Sequence, residues 1–448
     1  MTVSENHFSE MTLDDERISH DFSASGDPLN PPTDTSAHIL IIGAGVTGLT
    51  TAWALLDAGF RVTVISKEWA SHGSGLRLTS QIAGALWELP PAGCGPQAVQ
   101  GKLPMVQDWA LESFAVYRTI AARATLAEAY GVKMKMFTSF HLNKIDSDAL
   151  KTAKMQLMND TGMEGFARGT HLFAKYGVNA ASHGGLQDAY EHLAPIIDTD
   201  VAMSFLMRLV RSKGARFETD TVHGDILAQE DHLLSVYGAD AIVNATGVWA
   251  GAAAADDSVY PMRGGVLRVV NDGTDFPKLE NSMVVSSESK SDGYFRDMAF
   301  IVPRNDNILL LGSLVHRDAW ALDLSPASDV VQEMRARCED LLPMLKNARV
   351  ESSYPFAQGM RPMRESYVRV ELEERKTCRG QQSRIVHSYG HGGAGWSLAF
   401  GSARQVLRLV NGALSREEKK KKKMVCRDAS MDKLINGVNG QRNGHLVT

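Results

Sequence analysis

The chain has 448 residues, 44% hydrophobic and 22% charged, which excludes wholesale disorder, collagen and coiled coil and predicts two domains or one large elaborated α/β unit. With 47 Lys and Arg against 52 Asp and Glu, the net charge of −5 offers no electrostatic footprint for nucleic acid. The cysteines Cys94, Cys338, Cys378 and Cys426 form no C-x-x-C or Cys/His cluster, so neither a disulfide scaffold nor a metal site is expected, and a reducing compartment is.

Residues 1–37 are polar, acidic and rich in Ser, Asp, Thr and Pro, and lack the apolar core of a secretory signal. They predict a disordered tail. His38 to Ile42 is a short apolar run that predicts a buried parallel strand. Gly43-Ala44-Gly45-Val46-Thr47-Gly48 follows at once, then a helical stretch from Leu49 to Ala58, a stop at Gly59 and a second strand, Arg61 to Ile65. In this strand–loop–helix setting each glycine has a job. Gly43 permits the tight turn, Gly45 lets backbone approach a pyrophosphate, and Gly48 lets the helix pack on the strand. Amides at the helix N-terminus then face the phosphates. After the second strand, where an acidic residue ordinarily binds ribose, the chain has Ser66, Lys67 and Glu68.

Helical periodicity recurs over 114–130, 201–213 and 328–342, and short strands are expected at 266–270, 283–286 and 308–311. Ala241 to Ala245 is another buried strand and runs into Thr246-Gly247. The apolar stretches 38–60 and 241–255 are glycine-studded or too short to span a bilayer and are assigned to the α/β core. Four glycines fall between Gly390 and Gly395, ahead of a helical stretch from Ser397 to Asn411, and form a second nest of backbone donors. Residues 415–448 carry the run Lys419 to Lys423, which suits a solvated flexible tail better than a nuclear signal. The last four residues are not a peroxisomal address, and a cytoplasmic location is expected.

The first glycine loop and the Ala245-Thr246-Gly247 turn about 200 residues later suit a flavin-binding domain interrupted by an insertion. In full, the chain resembles the D-amino-acid oxidase family of FAD flavoproteins. The similar motifs are Ile41 to Gly48, Thr79 to Trp87, Ile242 to Gly251, Gly359-Met-Arg-Pro-Met-Arg364 and Tyr389 to Gly395, in the family's order. The resemblance implies an α/β fold: a Rossmann-like FAD-binding domain (38–105, 200–257 and 385–414) with an inserted α+β substrate domain of mixed sheet (106–199 and 258–384).

It also implies roles for residues. Gly43, Ala44, Gly45, Val46, Thr47 and Gly48 would take the pyrophosphate of non-covalent FAD, and Ser66, Lys67 and Glu68 would flank the ribose. Thr79, Ser80, Gly84, Ala85 and Leu86 match positions near the pyrophosphate and the isoalloxazine edge. Val222 and Thr246 match contacts to the adenine side and the Ala-Thr-Gly turn. Gly392, Gly393, Ala394, Gly395, Trp396 and Ser397 match the loop at the flavin's pyrimidine end. Arg361 would hold the substrate carboxylate through paired hydrogen bonds, and the Gly393 carbonyl would accept from the amine. Arg364 is assigned to structure.

One position departs from the family. Phe300 stands where a tyrosine commonly helps bind the carboxylate, so the ring is kept and the hydroxyl lost. Tyr294 and Arg296 are the nearest candidates for a lid residue, and Arg296 is a candidate contact to an acidic substrate side chain. The implied reaction is transfer of the substrate Cα hydride to flavin N5, with dioxygen as acceptor, giving hydrogen peroxide and an imino acid that hydrolyses to a 2-oxo acid and ammonia. The alternatives are a related FAD amine oxidase acting on a secondary amine or biosynthetic intermediate, a dehydrogenase with another acceptor, and a flavin-binding scaffold without turnover. The expected partners are a small amine or amino acid and dioxygen, with no nucleic acid and no membrane; a homodimer is left open.

Overall fold

All five residues of His38–Ile42 are buried, as a strand must be when helices cover both faces of a parallel sheet. This strand, β1, lies at the centre of the first of two sheets in the computed structural model, which describes residues 17–72, 77–92, 102–286 and 298–416. The other strands are β2 (Arg61–Ser66), β3 (Val132–His141), β4 (Ala167–Arg168), β5 (Asp188–Ile197), β6 (Arg216–Thr219) and β7 (Ala241–Asn244). They continue with β8 (Val259–Val270), β9 (Ser282–Ser286), β10 (Ala299–Pro303), β11 (Ile308–Arg317), β12 (Phe356–Arg364), β13 (Arg369–Leu372) and β14 (Ile385–Tyr389).

The first sheet has the order β13-β14-β7-β1-β2-β6 and is parallel apart from β13 on β14. Strand order therefore turns back between β1 and β7, where open α/β sheets place a ligand crevice at the carboxyl ends of their strands. The second sheet, β12-β8-β11-β10-β9-β3-β5-β4, is antiparallel except between β3 and β9. This is the α/β architecture with a mixed second sheet that the resemblance implies. One strand departs from the expected division: Arg369–Leu372 was to fall with the second sheet but pairs with β14 in the first.

The helix Val46–Asp57 packs on β1 and β2 and against the helix Thr199–Ser212, and buries every residue but Thr47. Asp57 and Lys213 form an ion pair of 2.7 Å, both side chains fully buried. Among the described residues, no helix is long and apolar enough to cross a membrane.

The N-terminal segment corrects the expectation of a disordered tail as far as residues 17–37 are concerned. Phe22 is fully buried, with its ring edge-on to Trp53 at 5.3 Å and to Phe400 at 5.1 Å. The Asp57 carboxylate accepts from Ser23 N at 2.8 Å, Leu29 N at 3.0 Å and Trp53 Nε1 at 2.8 Å. Arg404 clamps Asp21 at 2.6 Å from the last helix. One aromatic anchor and a buried carboxylate order a segment whose average composition is polar. Residues 1–16 and the lysine run lie outside the described residues.

Candidate active site

The first glycine loop closes where β1 and β7 end. Gly43 has φ +115°, and a Cβ there would lie 2.3 Å from the Ala245 carbonyl oxygen. A Cβ on Gly48 would lie 1.9 Å from the Gly43 oxygen, so both positions accept only glycine. Ala44 and Val46 are buried, while Gly43, Gly45 and Thr47 form the partly exposed side of the loop. The helix begins at Gly45 with no side-chain cap and no acidic residue in its first turn. Apart from Val46 N, which Ser80 Oγ engages, its amide-rich end is open to an anion.

The short helix Thr79–Ile82 joins this loop to the rest of the site. Ser80 Oγ accepts from Val46 N at 2.9 Å, the Ser80 carbonyl accepts from Trp396 Nε1 at 2.9 Å, and Thr79 Oγ1 donates to Met360 O at 3.2 Å. Ser66 donates to Glu68 O at 2.7 Å in a local turn. The side chains of Lys67 and Glu68 are 70% and 67% exposed, so neither is fixed as a ribose ligand. Val222 packs on a small cluster with Ile226 and Leu233.

Sequence reasoning missed a buried relay under the Ala-Thr-Gly turn. Thr246 donates from N at 3.2 Å and from Oγ1 at 2.8 Å to Asn244 Oδ1. Asn244 Nδ2 donates to His387 Nδ1 at 3.3 Å, which leaves the His387 proton on Nε2 to donate to Glu373 at 3.1 Å. Arg375 also donates to Glu373, at 2.6 Å. Burial would raise the Glu373 carboxyl, but the bonds from His387 and Arg375 outweigh it and hold the group well below its ordinary range. The relay pins the turn that abuts Gly43.

On the second sheet, Arg361 of β12 lies across β8. A Cβ on Gly264 would sit 2.2 Å from Arg361 Nη1, so the missing side chain gives the guanidinium its seat. Arg361 donates to Leu314 O at 3.1 Å and to Ser313 Oγ at 2.7 Å. Among the described residues no carboxylate pairs with it. Arg364 differs: it donates to Asp256 Oδ2 at 2.8 Å, as does the Tyr389 hydroxyl. Burial would raise Asp256, but Ser258, Arg364 and Tyr389 pull it down to about 2.

Phe300 stands on the same face, opposite Gly312 and Val284. Its ring tip meets Gly84, where a Cβ would lie 2.2 Å from Phe300 Cζ. Ala85 has φ +47° and its carbonyl accepts from Ile197 N at 3.0 Å, while Leu86 bridges to Ile196. Arg304, also missed, is buried and donates to Ala83 O at 2.6 Å and Ile197 O at 3.0 Å, clamping the segment that carries Gly84. In the second glycine loop Gly392, Ala394, Trp396 and Ser397 are buried, Gly395 is half-buried, and Gly393 is exposed. His391 in this loop is buried and its Nε2 has no hydrogen-bond partner among the described residues. Arg296 and Tyr294 lie outside the described residues.

Residues 38–409 match the family described as FAD dependent oxidoreductase. The chain belongs to this family. Its similarity to a D-amino-acid oxidase of Rubrobacter xylanophilus is 30% identity over 379 residues, covering 85% of this chain and 97% of the relative. A D-amino-acid oxidase of Streptomyces coelicolor is 29% identical over 378 residues, 84% of this chain and 98% of its own. In fold the chain is similar to glycine oxidase from Geobacillus kaustophilus, with a TM-score of 0.62 at 19% identity, covering 84% of this chain and 95% of that one. An iminodiacetate oxidase from Chelativorans has a TM-score of 0.59 at 17% identity, with the same coverage.

As an FAD-dependent oxidoreductase the chain uses FAD, and its residues fit that group. The amides of this end beyond Val46 N and the Thr47 hydroxyl suit a diphosphate, with no carboxylate in the first helical turn to oppose it. The orphaned His391 Nε2 is a polar atom left for a group beside the second loop.

Proposed function

We propose that this FAD-dependent oxidoreductase oxidises D-amino acids at Cα, with dioxygen as the acceptor. The observation that carries this reading is Arg361: a half-buried guanidinium seated on Gly264 and, among the described residues, bonded to a hydroxyl and a carbonyl and paired with no carboxylate. A planar fork of that kind is completed by a carboxylate. The curated relatives named D-amino-acid oxidase support the same substrate class.

In this reading the first sheet is the cofactor domain and the second the substrate domain. Gly43 to Gly48 hold the diphosphate, Thr79, Ser80 and Gly84 to Leu86 line its flavin end, and Gly392 to Ser397 close the other side. FAD, when bound, supplies the two-electron acceptor for the substrate's Cα hydride. Arg361 fixes the carboxylate, and the exposed Gly393 offers its carbonyl to the amine, so two contacts orient Cα. Phe300 supplies an apolar wall. The product imine hydrolyses to a 2-oxo acid and ammonia.

A second reading, a secondary amine or glycine derivative as substrate, is favoured by Phe300 together with the apolar cluster of Met262, Met298 and Met363. Anaerobic flavin bleaching separates the two. D-amino acids are expected to bleach the flavin and L-amino acids and N-methyl amines to leave it yellow; the reverse pattern overturns the first reading.

A further inference from the structure

The sheet face that carries Phe300 continues into a buried charged group that the reaction does not use. Phe300 lies opposite Val284, Val284 opposite Ser139, and Ser139 opposite Tyr190. Residues directly opposite share a face, so these side chains form a row about 14 Å long, three inter-strand steps of ~4.8 Å. The segment Gly84 to Glu88 runs beside this row. Gly84 meets the Phe300 ring, Trp87 N donates to Pro195 O at 3.0 Å, and Glu88 reaches Tyr190. Glu88 N donates to Ser397 Oγ at 3.4 Å, so the residue also borders the second glycine loop.

Glu88 Oε1 accepts from Lys154 Nζ at 2.9 Å and from the Tyr190 hydroxyl at 3.4 Å. Lys154 Nζ donates further to Pro91 O at 3.0 Å and stands 5.3 Å from the Tyr190 ring centroid. The Lys154 side chain is 5% exposed and the Glu88 side chain 17%. Every described contact to the carboxylate goes to Oε1, which leaves Oε2 with its acceptor capacity on the more open of the two side chains. Desolvating an ion pair is expensive, and apolar residues of similar volume would often be neutral or better for stability. The surrounding polar groups carry no competing charge. Tyr190 is pushed up to about 12, and burial pushes His141 and His192, which stack on either side of it, down to about 3 and about 4. Lys154 spends two of its three N–H groups on Glu88 and Pro91 and its ammonium stands against the Tyr190 ring, while Glu88 Oε2 is the acceptor without a described bond.

We propose that Glu88, held by Lys154 and Tyr190, is a specificity residue whose Oε2 accepts a hydrogen bond from the far end of the substrate side chain. The class selected is amino acids that end in a donor: an ammonium, an amide or a hydroxyl. The proposal rests on the amino-acid oxidase reading above. Its geometry is the row from Phe300 to Tyr190, along which an extended side chain reaches from the reacting carbon toward the carboxylate.

The test uses the flavin-loaded full chain and pairs of matched length: D-lysine against D-2-aminoheptanoic acid, and D-glutamine against D-methionine. The expected result is a kcat/KM ratio of tenfold or more in favour of the donor substrates, carried by KM rather than kcat. In the double variant Glu88→Leu/Lys154→Met, which removes both charges together, that ratio falls to about one. Should the double variant not fold, Glu88→Gln keeps the shape and one neutral acceptor, and is expected to lose preference for D-lysine more than for D-glutamine. Equal kcat/KM within each pair in the unaltered enzyme, or a ratio unmoved by these variants, overturns the proposal. If only L-amino acids bleach the flavin, the D-amino-acid reading fails and the same pairs in the L-series decide the role of Glu88. If no amino acid bleaches it, both fall.

Discussion

At Gly264 a methyl group would sit 2.2 Å from Arg361 Nη1, closer than real contacts allow. Gly264→Ala should therefore push the guanidinium off Ser313 and Leu314 without touching the first glycine loop. The expected outcome is a rise in substrate KM of tenfold or more with flavin content unchanged, measured by absorbance and steady-state kinetics. Arg361→Ala should lose on the order of 1.5–3 kcal/mol of carboxylate binding, the value of a charge-assisted contact. Loss of flavin in either variant would make Arg361 a structural residue. Phe300→Tyr is a different case. The hydroxyl would extend from Cζ, which already meets Gly84, and so would press on that segment instead of joining Arg361. Benzoate titrations of the flavin spectrum should show no gain in affinity; a two- to tenfold fall in Kd would mean that the ring turns to face the carboxylate. Arg361 was legible in the sequence because Gly-x-Arg-Pro is a local pattern. Its seat was not, because Gly264, Ser313 and Leu314 reach it only through the pairing of β8 with β12 and β11, which no local spacing reveals.

The elements most legible in the sequence were those whose partners are close in the chain. Strand, glycine loop, helix and second strand fall within 38–66, and all form as the spacing predicts. The expected helix over 114–130 forms as two, Leu103–Ala121 and Ala124–Tyr130. Two elements were harder to read: β13 comes directly after β12 of the second sheet but folds back on β14 in the first, and residues 17–37 dock both on the helix that follows them and on the last helix, through Trp53 and Phe400. For the docked segment, Phe22 makes a direct test. Its ring is fully buried between Trp53 and Phe400, so Phe22→Ala should destabilise the protein by about 3–5 kcal/mol. Deleting residues 1–30 should do more harm, because it also strips Ser23 and Leu29 from the Asp57 carboxylate beside Lys213. Chemical denaturation of the two proteins checks both. An unchanged midpoint would mean that the segment rests on the surface without adding stability.

At the scale of the whole molecule, buried histidines set how the fold responds to acid. His38, His141, His192, His316, His387 and His391 are all shifted below the ordinary value, with burial the leading cause in each. His141 is pushed to about 3, and His192 and His391 to about 4. An unfolded histidine titrates near 6.5. Between about pH 6.5 and pH 4, then, the unfolded chain binds protons that the folded chain refuses, and stability falls as pH falls. Each of the three deeply buried rings contributes up to about 1.4 kcal/mol per pH unit in that window and nothing above it. Asp256, held at about 2, adds its loss only as pH falls below the ordinary carboxylate value near 4. The two ranges are thus separable. Thermal unfolding should be flat from pH 8 to pH 7 and should drop steeply between pH 6 and pH 5. His391→Gln, made in the loop where Nε2 has no partner, should flatten that slope by one histidine's share. If the unaltered protein keeps the same Tm from pH 7 to pH 5, these rings are reached by solvent and protonate in place.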